Sequence, residues 1–391
     1  MIARDASKID EALQRIERDD GTLQAWAFVL TSAGDAPLLP GPLSGVPFGV
    51  KDIIDVAKMP TALGLWREHR KARVDAWCVA VLRAAGAVPI GKTHTTAHAF
   101  LDPAPTLNPL DAERTPGGSS AGSAASVGAG HVAFALGTQT IGSVLRPAAY
   151  CGVVGFKPTF GRVPAQGVAP LAPSLDHVGL IGRDMATILD VAQVLMAGLR
   201  SETIAAPRIA IATSVYESAR SAPETIAAVR GAIEKLGKRG CITTQHVLPD
   251  EIDGSISEAK FIMAYEAHAS LAPLLAHALP PELHALLMRG AGIAHLEYVA
   301  ALERREATRH IVNDVFAAYD AVIVPCCDAA PARITTGDGA PFAASTYYGL
   351  PAISIPIPGT RPAAVSLQLV AAHGEDARLL AIAARVEAAL A

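Results

Sequence analysis

The longest uncharged segment of the chain runs from Thr115 to Leu145, between Arg114 and Arg146. Its 31 residues exceed the roughly 20 that a membrane-spanning helix needs. Fifteen of them are Gly, Ser or Thr, and Gln139 and His131 lie among them, so too little apolar surface remains for contact with lipid. We therefore interpret the segment as buried, closely packed structure inside a globular fold.

The composition of the whole chain agrees with a folded core. Of its 391 residues, 51% are hydrophobic and only 18% are charged, which excludes a disordered chain. The net charge is −4, so no basic surplus favours nucleic acid or an anionic membrane as partner. We expect a small-molecule substrate, and no contact with nucleic acid or membrane.

The amino terminus and the cysteines bear on the compartment. Residues 1–20 carry charges throughout and lack the apolar core of a signal peptide; Ile9, Leu13 and Ile16 instead indicate a short amphipathic helix. Five scattered cysteines argue against a disulfide framework. They are Cys78, Cys151, Cys241, Cys326 and Cys327. We expect a reducing, cytoplasmic location, and a packing role for the vicinal pair at 326–327.

Helical and strand patterns alternate along the chain, which predicts an α/β fold with a large mixed sheet. We expect one domain over residues 1–391, with a catalytic core at about 40–200, a variable helical region on the substrate side at about 205–318, and the core completed by 319–391. The predicted strands are 45–56, 87–90, 131–136, 208–212, 242–247, 321–324, 352–355 and 365–370. The predicted helices are 75–85, 119–130, 224–236, 256–279, 296–318 and 376–391.

Residues 86–93 match the P-loop pattern G-x-x-x-x-G-K-[ST]. A P-loop requires a strand before its first glycine and a helix that starts at its lysine. Here a predicted helix ends at Gly86, a strand containing Pro89 follows, and a turn is expected at 91–93. Nucleotide binding is therefore the less favoured interpretation, although it stays open as an alternative function.

Residues 118–122 match G-x-S-x-G, the nucleophile elbow of α/β-hydrolases. The preceding residues 108–117 are rich in turn formers and do not form the strand that such an elbow requires. The downstream histidines also lack the spacing of a metal site or a distinctive catalytic setting. They are His268, His277, His284, His295, His310 and His373, and we expect them at the surface or lining a cleft, with no metal bound.

A third constellation is more specific. Lys51 lies in GVPFGVKDIIDV, Ser119 in TPGGSSAGSAASVGAG, and Ser143 in LGTQTIGSVLRPAAYCG. In this order and spacing the sequence resembles the amidase signature family of serine hydrolases, most densely over 40–183 and again in the carboxyl-terminal motifs YDAVIVP, GLPAISIP and SLQLVA. The resemblance implies an amidase-signature domain with helices on both faces of its sheet.

The resemblance also implies catalytic roles. Lys51 would be the general base, Ser119 a bridging serine after a cis peptide bond, and Ser143 the nucleophile. Independently, a serine hydroxyl needs an adjacent base, and the apolar neighbours of Lys51 would lower its pKa by desolvation. The turn Thr140, Ile141, Gly142 and Ser143 is expected to form the oxyanion hole with its backbone N–H groups.

The resemblance places Gly117, Gly118, Thr138 and Arg146 in the substrate-binding site. Arg146 follows the nucleophile by three residues, a spacing similar to malonamidase and its relatives, where the matching arginine pairs with a substrate carboxylate. A guanidinium fork suits that task, but an ordinary structural ion pair is equally open. The chain departs from the family pattern at Gln139, where an acidic residue is usual.

These observations predict a cofactor-free amidase that hydrolyses the C–N bond of a small amide, such as the carboxylate-bearing malonamate, through an acyl-enzyme. We also expect a homodimer. One alternative is the amidase subunit of a tRNA-dependent amidotransferase, which would need a stable partner. The other, from a different class, is a P-loop nucleotide-binding protein.

Overall fold

The computed structural model describes residues 7–32, 38–65, 70–200, 202–212, 222–360 and 364–391. Part of the predicted helical region, 213–221, lies outside these ranges. The described chain forms an 11-stranded mixed sheet flanked by helices, which confirms the predicted α/β class. Among the described residues, no helix is long and apolar enough to cross a membrane.

The strands are short. They are β1 (Trp26–Val29), β2 (Pro47–Lys51), β3 (Pro60–Thr61), β4 (Arg70–Lys71), β5 (Val88–Thr93), β6 (Phe134–Gln139), β7 (Val154–Lys157), β8 (His177–Gly182), β9 (Arg208–Ala212), β10 (Ile242–His246), β11 (Ala321–Pro325), β12 (Ala352–Pro356) and β13 (Ser366–Val370). Six of the strands, β2, β5, β6, β7, β8 and β13, are buried along their full length. Strands β3 and β4 form a separate hairpin.

The helices follow the apolar periodicity of the sequence. They are α1 (Ser7–Leu23), α2 (Trp77–Ala84), α3 (Ala121–Gly128), α4 (Leu145–Tyr150), α5 (Met185–Leu195), α6 (Pro223–Lys238), α7 (Asp250–Leu271), α8 (Pro281–Ala291), α9 (His295–Ala307), α10 (Arg309–Ala318), α11 (Ala343–Tyr347) and α12 (Asp376–Leu390). The long helical region breaks at Pro273 and at Pro280–Pro281, because proline cannot donate the helical hydrogen bond.

The large sheet has the order β1-β5-β2-β6-β8-β7-β12-β13-β11-β9-β10. Strands β5, β2 and β6 run parallel to one another, as do β10, β9 and β11, and the strands between these two groups pair antiparallel. The ends of β2 and β6 therefore point to the same edge of the sheet. This edge is where Lys51 and the residues after Gln139 meet.

The uncharged segment lies in the middle of the molecule. Helix α3 packs against β6, and a Cβ atom on its Gly122 would lie 2.2 Å from the Ala25 carbonyl oxygen. Such a close approach is possible only for small side chains. The small residues of this helix, which argued against contact with lipid, thus allow it to pack directly on the backbone at Ala25 and His94.

Several predicted boundaries were wrong. The strand expected at 45–56 is confined to Pro47–Lys51, the helix expected at 256–279 begins at Asp250 and ends at Leu271, and the helix expected at 296–318 divides at Thr308 into α9 and α10.

The residues expected to form a turn at 91–93 belong to β5, which continues to Thr93. Gly91 lies directly against β1, where a Cβ atom would be 2.2 Å from the Phe28 carbonyl oxygen. Strand β6 begins at Phe134, not at 131, and extends to Gln139. No helix starts at Lys92, so residues 86–93 lack the strand–loop–helix arrangement of a P-loop.

Candidate active site

The Lys51 side chain ends in a buried cluster of hydroxyl groups. Lys51 is the last residue of β2 and is fully buried. Its Nζ lies 2.6 Å from Ser119 Oγ, 2.7 Å from Thr138 Oγ1 and 3.3 Å from the Thr138 carbonyl oxygen. Among the described residues, no carboxylate forms an ion pair with this amine.

Burial lowers the pKa of the Lys51 amine well below its usual value; the Asp176 carboxylate opposes that shift and the Arg146 charge adds to it. The desolvated ammonium is disfavoured because it loses its hydration without gaining a salt bridge. A neutral amine can accept a proton from a neighbouring hydroxyl. The Lys51 amine therefore has the surroundings that a general base requires.

Ser119 follows a cis peptide bond with Gly118, as the resemblance implied. The Ser119 carbonyl oxygen accepts hydrogen bonds from Thr95 Oγ1 at 3.0 Å and from the Thr96 N–H at 3.3 Å. Before it, Gly117 has a φ of 80°, and a Cβ there would lie 2.8 Å from Pro147 Cα. Glycine is thus required by both conformation and space in the loop that delivers Ser119.

Ser143 precedes α4 and is 8% exposed. Its carbonyl oxygen accepts the Ser120 N–H at 3.2 Å, which joins the turn at 140–143 to the Ser119 loop. Its Oγ hydrogen-bonds to none of the described residues. The backbone N–H groups of Ile141, Gly142 and Ser143 likewise have no acceptor among them. A hydroxyl and three amide donors are therefore available to a ligand at one turn.

Gln139 stabilises this turn. Its Oε1 accepts the N–H groups of Val144 at 3.0 Å and Leu145 at 3.1 Å, and its Nε2 donates to Thr346 Oγ1 at 3.2 Å. Thr346 in turn donates to the Ile141 carbonyl oxygen at 2.9 Å. An acidic residue at this position could accept the same two N–H groups, so the departure from the family pattern keeps this interaction.

Arg146 is buried and faces main-chain oxygens. Its Nε and Nη2 donate to the Gly118 carbonyl oxygen at 3.2 and 2.6 Å, and its Nη1 donates to the Gly337 carbonyl oxygen at 2.7 Å. No acidic side chain among the described residues forms a salt bridge with it, so the ordinary ion pair left open by the sequence is not observed.

Thr138 and Asp176 show what sequence reasoning missed. Thr138 was expected to bind substrate, and in the structure its hydroxyl oxygen accepts a hydrogen bond from the Lys51 amine. Asp176 was assigned no role, yet its carboxylate accepts the Thr140 hydroxyl at 2.6 Å. Its position in the stretch SLDHVG, which matches the family motif, was the only signal that could have singled it out.

The other candidate features lie apart from this cluster. A cavity of about 1100 Å³ beside β11 and α10 includes Gly337 in its lining but none of Lys51, Ser119 and Ser143. All five cysteines are free and buried. Among the described residues, no group of three or more His, Cys, Asp or Glu side chains could hold a metal ion.

Several known proteins resemble this chain in sequence and in fold. The family model described as Amidase matches residues 8–380. The chain is 32% identical, over 94% of its length and 90% of the relative's, to a glutamyl-tRNA(Gln) amidotransferase subunit from Moorella thermoacetica. A crystal structure of an amidase superposes with a TM-score of 0.89 at 28% identity, covering 99% of this chain and 96% of that one. The fold is also that of 6-aminohexanoate cyclic dimer hydrolase, with a TM-score of 0.86 at 24% identity, covering 100% of this chain and 94% of that one.

Proposed function

The chain belongs to the amidase family and is an amide hydrolase, and from this premise we propose that it cleaves small carboxamides with Ser143 as nucleophile, Ser119 as bridge and Lys51 as general base. One observation carries the proposal. The fully buried Lys51 amine lies 2.6 Å from Ser119 Oγ, and Ser119 is joined through Ser120 to the turn that contains the free Ser143 hydroxyl.

In the proposed reaction, Ser143 Oγ attacks the amide carbonyl carbon. Its proton passes to Ser119 Oγ while the Ser119 proton passes to Lys51 Nζ, since a hydroxyl can donate and accept at once. The N–H groups of Ile141, Gly142 and Ser143 would stabilise the oxyanion, a contribution typically worth about 3–4 kcal/mol per donor.

The C–N bond then breaks, and the proton returns from Lys51 through Ser119 to the leaving nitrogen. Water attacks the resulting ester of Ser143, and its proton takes the same path to Lys51. Collapse of the second tetrahedral intermediate returns the proton to Ser143 Oγ and releases a carboxylic acid. One amide bond and one water molecule are consumed, and no cofactor is needed.

Substitution of Ser143 tests the proposal directly. Ser143→Ala should lower amide hydrolysis by about 10³-fold or more, with an unchanged thermal unfolding curve. A fluorophosphonate probe should add its mass to Ser143 of the native protein, as measured by peptide mass spectrometry. Full activity of the Ser143→Ala protein, or labelling at another residue, would contradict the assignment.

A carboxylate-bearing monoamide such as malonamate is the specific substrate we propose, with Arg146 as its recognition group. Arginine has five N–H donors, and three of them are used by Gly118 and Gly337. Two remain for a carboxylate. The buried cation, without an acidic partner among the described residues, favours an anionic ligand.

This substrate assignment predicts an unequal effect of Arg146→Ala. The value of kcat/KM for malonamate should fall about 100-fold, since hydrogen bonds to charged groups contribute about 1.5–3 kcal/mol, whereas the value for the neutral amide butyramide should fall much less. Steady-state kinetics of both substrates measures the difference. Equal losses would show that Arg146 acts only on the Gly118 peptide group.

The similarity to an amidotransferase subunit favours a second candidate, in which the chain releases ammonia within a complex. That candidate requires a partner for activity, whereas we propose a cytoplasmic homodimer that is active alone. Five buried thiols fit a reducing compartment. Light scattering of the purified chain, combined with an ammonia assay, separates the two candidates.

A further inference from the structure

We propose that Asp176 is a positioning residue of this site: its carboxylate orients Thr140 in the nucleophile turn and acts as the counter-anion of Lys51 when that amine accepts the serine proton. The inference rests on the proposed roles of Ser143, Ser119 and Lys51. Asp176 lies outside the three catalytic side chains and has two separable effects.

Asp176 is held firmly by hydrogen bonds. Its Oδ1 accepts the Thr140 hydroxyl at 2.6 Å, and its Oδ2 accepts the N–H groups of Leu171 at 2.8 Å and Ala172 at 3.0 Å. The loop before it is tied to α7, because Glu266 Oε2 accepts the Ser174 N–H at 2.8 Å. The carboxylate therefore has a defined position next to the turn.

The strand geometry places this carboxylate on the same side of β6 as Lys51. Residues two apart along an extended chain point to the same face. Thr138 and Thr140 are such a pair at the end of β6, where Thr138 contacts Lys51 and Thr140 contacts Asp176. The amine and the carboxylate are thus linked through neighbouring threonines, without a direct salt bridge that would keep the amine charged.

The charges in this region have opposing effects on Lys51. Asp176 is the anion that raises the pKa of Lys51 against the effect of burial, and Arg146 on α4 lowers it. Burial raises the pKa of Asp176 itself to about 6, and the nearby charge of Glu266 on α7 contributes to that increase. Above this pH, Asp176 is ionised and can stabilise the Lys51 ammonium that forms during acylation.

The experiment measures the rate at which a fluorophosphonate probe labels Ser143 between pH 5 and 10. Labelling needs the neutral Lys51 amine, so its rate rises with pH through the pKa of Lys51. Removal of the anion lowers this pKa, since the ammonium loses a favourable charge. In Asp176→Asn the acid limb should therefore move down by about one pH unit, and the plateau rate should fall roughly tenfold because a weaker base activates Ser143 less.

Two further variants separate charge from position. Thr140→Val keeps the Asp176 carboxyl group, and loss of the Thr140 hydrogen bond only raises the pKa of that group. This variant should therefore slow labelling and displace the acid limb much less than Asp176→Asn does.

Asp376→Asn is a matched control, because Asp376 also accepts a threonine hydroxyl at 2.6 Å and a backbone N–H at 2.8 Å, both from Thr159. These hydrogen bonds do not involve Lys51, Thr138 or Thr140. This control should keep the native limb and a rate within about twofold, the spread expected for a change outside the site.

The counter-anion role is wrong if the acid limb of the labelling rate lies at the same pH in Asp176→Asn as in the native protein. It is also wrong if Thr140→Val displaces that limb as far as Asp176→Asn does. If Asp176→Asn does not fold, as judged by circular dichroism, Asp176→Ser serves as a second neutral variant with the same expected displacement. Failure of the proposed function is distinct, because Ser143→Ala and Lys51→Ala would then be labelled like the native protein.

Discussion

Two buried lysines at the ends of strands lie in very different surroundings. Lys51 ends β2 and Lys157 ends β7, and neither is exposed. Burial lowers the pKa of both amines, that of Lys157 to about 7 and that of Lys51 well below its usual value. By burial and pKa alone, either residue could be a general base.

Their partners differ. The Lys157 amine donates to the carbonyl oxygens of Leu350 and Ser345, and a carbonyl can only accept. The Lys51 amine lies against the hydroxyls of Ser119 and Thr138, which can also donate a proton to it. A buried lysine can act as a general base only where a neighbouring hydroxyl can donate a proton to it and can in turn accept the proton of a nucleophile.

The two regions also differ in what remains unsatisfied. Around Lys51, the Ser143 hydroxyl and three backbone N–H groups have no partner among the described residues. Near Lys157, each oxygen of the Asp376 carboxylate accepts a hydrogen bond from Thr159. Lys92 shows a third solution, because this buried lysine forms a salt bridge with Asp52 at 3.3 Å, which favours its charged form.

Replacing each lysine with methionine, which has a similar length and no charge, tests this difference most directly. Lys51→Met should lower amide hydrolysis by about 10³-fold or more, since Ser143 loses its base. Lys157→Met should change it by less than about tenfold, because no reacting group lies on that amine. Comparable losses of kcat in two folded variants would show that the partner groups do not distinguish the two sites.

A smaller effect concerns stability near Lys157. Its pKa is about 7 in the folded protein and about 10.4 in the unfolded chain, so the unfolded state binds more protons between these values. The free energy of unfolding should therefore rise with pH from about 7 to about 10, by at most about 1.4 kcal/mol per pH unit from this residue.

Lys157→Met removes that contribution and should flatten the dependence, as measured by urea unfolding at pH 7, 8 and 9. A conservative matched variant is Lys238→Met at an exposed i,i+4 pair, which should keep the native slope. Equal slopes in the native protein and Lys157→Met would mean that the Lys157 amine stays charged in the folded state.

Much of the fold was predictable because local patterns carry it. The strands at 208–212 and 321–324 and the closing helix matched their apolar runs, and Pro280–Pro281 marked a helix boundary. The boundaries of β5 and β6 were missed for a tertiary reason. Glycine usually signals a turn, but Gly91 is required where β1 crosses close to β5. Lys58 has a φ of 71°, a conformation that favours glycine and that the sequence alone does not reveal.

The site divides in the same way. Lys51, Ser119 and Ser143 could be named from the sequence because their glycine-rich turns form recognisable local motifs. The sequence by itself also determined that the uncharged segment is packed inside the protein, since its small residues suit close backbone contact. Only the tertiary structure decided which groups hydrogen-bond to the charged side chains. Lys51 contacts Thr138, Asp176 contacts Thr140, and Arg146 contacts the carbonyl oxygens of Gly118 and Gly337. The physical reason is that desolvation and hydrogen bonding depend on groups that are far apart in sequence, and no local pattern encodes which of them will meet.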